Sequence, residues 1–113
     1  MHFLVERFWP NSNQQMALVA TERLQAGCAQ LRAAGVEVRW LGATYVPTDE
    51  ALSSRFAGTM QAIRAVHEIT GERFDRILPM IEFDAPDGAS TAQKREHRED
   101  AAVRGRVQPP NSL

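Results

Sequence analysis

Residues 36–58 read VEVRWLGATYVPTDEALSSRFAG, and the pattern of this stretch decides the fold. Val36, Val38 and Trp40 alternate with polar neighbours, the period-two signature of a strand with one buried face. At Gly42 the phase breaks, because Tyr45 and Val46 no longer continue the alternation, so a bulge is expected there. Pro47-Thr48-Asp49-Glu50 is turn chemistry. ALSSRFAG, residues 51–58, then reads as a second strand, and the two form a hairpin.

Each side of the hairpin carries a helical pattern. Before it, SNQQ at 12–15 predicts a capping box, with Ser12 as the cap and Gln15 reaching back. The helix runs from there to about Ala34. Ala17, Ala20, Leu24, Cys28 and Leu31 recur at steps of three and four, which makes one apolar stripe. Gly35 supplies the left-handed residue that ends it. After the hairpin, TMQAIRAVHEIT at 59–70 predicts a second helix with Ala62, Ile63, Val66 and Ile69 inward, stopped by Gly71. Beyond the helices lie two further strands. HFLVERFW at 2–9 is stopped by Pro10. RILPMIEF at 76–83 contains Pro79, which has no N–H for a ladder bond and so belongs at a sheet edge.

The order is therefore β-α-β-β-α-β. It predicts an α+β protein of the ferredoxin-like kind: a four-stranded antiparallel sheet, first and third strands central, with two helices on one face. The folded part is expected to span residues 1–83 as one domain. Residues 84–113 carry charges of both signs, no aromatic ring and few large aliphatic side chains. They bury too little to offset their ordering entropy and are expected to be a mobile, at most loosely helical, tail.

Strands one and four are apolar on both parities: Phe3 and Val5 against Leu4 and Phe8, then Ile77 and Ile81 against Leu78 and Met80. Helices cover one face of the sheet, so the second predicts another cover. We expect a homodimer through the open sheet face.

Composition limits the function classes. The chain has 113 residues and a net charge of −1, so there is no overall electrostatic case for nucleic acid or an anionic membrane. The third strand lacks the aromatic and glycine pattern of RNA-recognition domains. The single cysteine, Cys28, cannot form an internal disulfide. The opening MHFLVERFWP is interrupted by Glu6 and Arg7, against a secretion signal, and no stretch is long and apolar enough for a membrane span. A cytoplasmic location is expected.

Two constellations carry candidate chemistry. His67-Glu68 on the second helix resembles the start of a zinc-peptidase motif, but the second histidine belongs four residues on, where Gly71 stands. What remains is one histidine at the edge of the buried face, either a half-buried residue at a packing boundary or a contact to a metal or ligand. The other constellation is Glu6 and Arg7 on the first strand with Arg55 on the third. Charges on central strands pair or bind something. They predict either a Glu6–Arg55 ion pair or the polar floor of a pocket between the sheet and a partner, which Trp9, Trp40 and Tyr45 could wall. Ser53 and Ser54 have no evident base beside them, so nucleophilic catalysis is not expected.

FLVERFWP, VRWLGATYV and AIRAVHEITGERFDRI together resemble a family of small bacterial proteins whose best-described members are nickel-binding, nickel-responsive ferredoxin-like dimers. The resemblance covers about residues 2–82. It implies the ferredoxin-like fold, a dimer and a nickel site on the second helix. The nickel-binding members have a segment similar to IHERAGH there, matched by His67, Glu68 and Gly71, with Glu72 where they have a second histidine. Ser53 stands about where a cysteine is common, and Glu6 and Arg7 stand near their first-strand histidine. The resemblance thus implies a non-enzymatic metal- or ligand-binding protein with a weakened nickel site. The alternative is a dimeric α+β barrel, a small-molecule binder or cofactor-free oxygenase, whose pocket would contain Glu6, Arg7, Arg55 and Trp40.

Overall fold

The structure, a computed structural model, describes residues 1–86. Residues 1–81 form one compact unit, and a separate unit begins at Glu82, where the described residues 82–86 have no regular secondary structure. The expected tail helix lies outside the described residues.

Six principal elements follow the expected order: β1 (His2–Phe8), α1 (Gln14–Ala33), β2 (Val38–Val46), β3 (Ala51–Gly58), α2 (Met60–Thr70) and β4 (Arg76–Pro79). All strand pairs are antiparallel, in the order β2-β3-β1-β4. This is the ferredoxin-like arrangement, with β1 and β3 central and proline-bearing β4 at an edge. The β2–β3 register shifts between Trp40 and Gly42, the bulge that the phase break predicts. Gly42 has φ +148°, and a Cβ there would collide with the Arg55 guanidinium lying over it. Pro47–Asp49 makes a single 3-10 turn between the strands.

Both helices end as the sequence predicts, on positive-φ glycines, Gly35 and Gly71. The start of α1 differs. Asn13 is the cap, its side chain accepting from the Met16 amide at 2.8 Å. Ser12 lies one residue too early and bonds the Tyr45 hydroxyl instead, at 2.7 Å. An asparagine oxygen caps as well as a serine does, so SNQQ offered two registers, and the bond to β2 takes Ser12.

The core lies between the helices and one sheet face. Phe3 and Val5 of β1, Phe56 of β3 and Val38 of β2 meet Leu24 and Cys28 of α1 and Ala62, Ile63 and Val66 of α2. On α2 the inward face is rotated from expectation. Ile69 is 45 % exposed, while His67 is buried at 5 %. With Ile63 and Val66 fully buried, the next inward position at helical spacing is 67, whose ring goes in where an isoleucine two residues later points out.

The other sheet face presents Leu4, Glu6 and Phe8 of β1, Ser53 and Arg55 of β3, and Arg76 and Leu78 of β4, as the strand register dictates. Arg76 donates from Nε to Glu6 at 2.6 Å. The expected Glu6–Arg55 pair is therefore replaced: Glu6 sits opposite Ser53 on one side and Arg76 on the other, and Arg55 lies one step along, opposite Leu4.

Candidate functional site

Arg7 shares parity with Phe3 and Val5, so it projects toward the helices, away from Glu6 and Arg55. The three residues predicted as one polar floor are thus divided between the two faces of the sheet. At the end of β1 the core is thinning, and Arg7 enters it beside the C-terminal end of α2. Its Nη1 donates to Glu72 Oε1 at 2.8 Å, with the two side chains only 11 % and 9 % exposed. Its guanidinium carbon lies 3.5 Å from the centre of the Trp9 ring, a stacked cation–π contact. Its Nε is buried with no hydrogen-bond partner. Arg23 of α1 reaches the other carboxylate oxygen, Oε2, at 3.3 Å, but that side chain is 62 % exposed. One carboxylate is thus held between two guanidinium groups, leaving the cluster with one excess positive charge.

These groups form one end of a cavity of about 510 Å³. Trp9, Met16, Val19 and Ala20 supply its apolar walls, and the first turn of α1 from Asn13 contributes its rim. Trp9 walls this cavity, which lies against α1 and is not the expected pocket between the sheet and a partner. Trp40 and Tyr45 do not line it: Trp40 packs against the main core and Tyr45 against Ala17, Ala20 and Leu52.

Glu72 also fixes His67, through its backbone. His67 Nδ1 lies 2.9 Å from the Glu72 carbonyl oxygen. A carbonyl only accepts, so Nδ1 carries the hydrogen and the neutral ring leaves a lone pair on Nε2. Phe56 and Phe74 make T-shaped contacts with the imidazole, at centroid distances of 5.8 and 4.8 Å. Nε2 is buried there without a partner. Burial is the main influence on this group and pushes its pKa below the ordinary histidine value; the Glu72 carbonyl and carboxylate oppose it.

The sign of the resulting pH dependence follows. Below the unfolded pKa of about 6.5 the unfolded chain binds a proton that the folded one resists. Stability from neutral His67 is therefore complete above that value and lost as pH falls toward the lowered folded pKa. Between pH 7.5 and 5.5 the folding free energy of the wild type should fall, with a slope approaching about 1.4 kcal/mol per pH unit for this proton. His67→Gln should flatten the profile. Urea denaturation across this range checks it, and equal slopes for the two proteins would refute the assignment.

His67, Glu68 and Glu72 do lie along one surface depression, of about 610 Å³, with Arg64, Arg73 and Phe74. They do not converge as metal ligands. Both oxygens of Glu72 are engaged by arginines, Glu68 is exposed, and the free nitrogen of His67 is covered. Among the described residues no group of three or more His, Cys, Asp or Glu is placed to hold a metal ion. A nickel ion does not fit this donor set as it stands.

Three contributors escape sequence reasoning. Arg23 follows Ala20 and precedes Leu24 on α1, where a solvated charge and a pocket charge look alike. Met16 and Val19 lie off the apolar stripe, yet they wall the cavity. Arg7 was expected beside Glu6 and Arg55; the signal that separates it from them is its parity with Phe3 and Val5.

No protein-family model matches the chain, and no curated protein matches it. Among solved structures it is similar to SCO4226 from Streptomyces coelicolor A3(2), with a TM-score of 0.57 and 17 % sequence identity, over 75 % of this chain and 100 % of that one. At that identity the likeness supports the ferredoxin-like fold. No described helix is long and apolar enough to cross a membrane.

Proposed function

We propose that this chain is a non-enzymatic ligand-binding protein that works as a homodimer, with its ligand site in the cavity between the start of α1 and the end of α2. The observation that carries this reading is the nearly buried Arg7–Glu72 pair in the cavity wall. A buried ion pair is a costly way to stabilise a fold, since apolar residues of the same volume often do as well or better. Preformed charge beside apolar walls is what small-molecule sites are built from.

The dimer rests on the open sheet face. Leu4 and Phe8 on β1, Val46 on β2 and Leu78 on β4 lie on the side that the helices leave bare, and Phe8 is 54 % exposed. A second copy of the same face would remove these side chains from water.

Nickel binding, as in the family that the sequence resembles, is the second reading. What favours it is the neutral imidazole with Nδ1 held by a backbone carbonyl, the tautomer that metal-ligating histidines use. What opposes it is the engaged Glu72 carboxylate.

Native mass spectrometry of the tag-free protein, equilibrated with nickel, tests the dimer and the metal together. The expected spectrum is a dimer that holds no nickel, converted to monomer by Leu4→Asp. A monomeric wild type would overturn the dimer. One nickel per chain, lost in His67→Gln, would replace the cavity reading with the metal reading.

A further inference from the structure

We propose that the cavity beside Arg7 takes a small amphipathic monocarboxylate, its carboxylate received by Arg23 and Arg7 and its apolar body laid against Trp9, Met16 and Val19. This deepens the ligand-binding reading and rests on it. Two features of the charged end of the cavity set the ligand's charge. Arg7 and Arg23 share a single carboxylate, so the cluster has one positive charge in excess. Arg23 is the mobile member: its contact with Glu72 is long, at 3.3 Å, and its side chain is 62 % exposed, which leaves donors facing the opening. Both favour an anion, and an excess of one charge matches a monoanion.

The walls set the rest of the ligand. Trp9, Met16, Val19 and Ala20 offer the apolar surface, and the uncharged polar side chains of the lining are Asn13, whose oxygen caps α1, and Gln15. Met16 and Val19 are 36 % and 43 % exposed, apolar area on a helix face that the core does not use. Trp9 has one ring face stacked under Arg7, which stiffens the wall next to the charged end. The volume, about 510 Å³, suits a carboxylic acid of modest size. Inorganic phosphate would gain the charge and leave the walls wet. An amine would meet two guanidinium groups, and its one possible partner, Glu72, is already engaged.

The test uses the full chain carrying Trp40→Phe, so that Trp9 is its one tryptophan. Trp9 fluorescence is titrated with phenylacetate, hexanoate, hexylamine, hexanol and inorganic phosphate. Saturable responses to phenylacetate and hexanoate are expected, at least tenfold tighter than to the amine, the alcohol or phosphate. Arg23→Gln should weaken carboxylate binding at least tenfold, and its salt dependence should fall with it. That variant keeps the fold, because Arg23 is on the surface; an intact cooperative urea transition verifies this. Saturation by hexanol or hexylamine as tight as by hexanoate would overturn the ligand class while leaving the cavity a binding site. Carboxylate affinity unchanged in Arg23→Gln would overturn the assigned recognition. No saturable response to any of the five probes would overturn the ligand-binding reading itself.

Discussion

Glu72→Gln is expected to destabilise the protein by about 3 kcal/mol, because it leaves the Arg7 guanidinium buried without its counter-charge. The change keeps the size and shape of the side chain, so almost the whole loss reports charge. Arg7 is 11 % exposed and cannot turn to water without leaving Trp9 and the wall of the core. For a domain of this size the loss corresponds to a fall in melting temperature of roughly 15 °C. Arg23→Gln should cost no more than about 1 kcal/mol, since that pair is solvent-screened. The double variant Arg7→Met, Glu72→Leu should recover most of the stability that Glu72→Gln loses. Two apolar side chains can replace a buried pair at little cost. Urea unfolding of the four proteins decides it. A Glu72→Gln loss below about 0.5 kcal/mol would mean that water reaches Arg7 and that the pair is not buried in solution. If the apolar double variant recovers the fold, the pair is not needed for folding. Its presence is then explained by the ligand that the cavity receives.

Phe56→Ala should cost about 3–5 kcal/mol, the range for deleting a buried aromatic ring. Phe56 is completely buried on the central strand β3, where it pairs with Phe3 across β1 and with Trp40 across β2. It also forms one wall around His67, its ring in a T-shaped contact with the imidazole. Two effects should therefore appear together. The fold weakens, and the space opened beside His67 admits water, which relieves the burial that holds its pKa down. A proton NMR titration should show the His67 resonance in Phe56→Ala moving toward the ordinary histidine range. Phe56→Leu, which fills most of the space, should lose less stability and leave the titration nearly unchanged. A His67 titration insensitive to Phe56→Ala would show that desolvation by this ring is not what lowers its pKa.

Element order and topology were legible because they depend on local periodicity and on punctuation. The alternation in β1 and β3, the three-and-four steps of α1, the glycines at 35 and 71 and Pro79 at an edge each act over a few residues. So did the bulge at Gly42. Where two local signals competed, tertiary contact chose between them. Ser12 and Asn13 were both sound caps, and the Tyr45 hydroxyl claimed Ser12. His67 and Ile69 both adjoin the α2 stripe. The imidazole went inside because Nδ1 finds a carbonyl and the ring finds two aromatic neighbours, whereas nothing comparable receives Ile69.

The candidate site divides along the same line. The parity of Arg7 with Phe3 and Val5, the isolation of His67 from a second imidazole, and the presence of Glu72 just past the helix end are properties of the sequence by itself. That Glu72 is an arginine partner and not a metal ligand is a property of the fold. The carboxylate is 65 positions from Arg7 and 49 from Arg23, and no periodicity links residues so far apart. Antiparallel pairing brings the ends of β1 and α2 to the same corner, and the close approach of α1 brings Arg23 there. Sequence spacing determined which face each of these side chains occupies. Only the packing of three elements at one corner decided that two positive charges and one negative charge meet beside an apolar cavity, because Coulomb interaction depends on distance in space and not on distance along the chain.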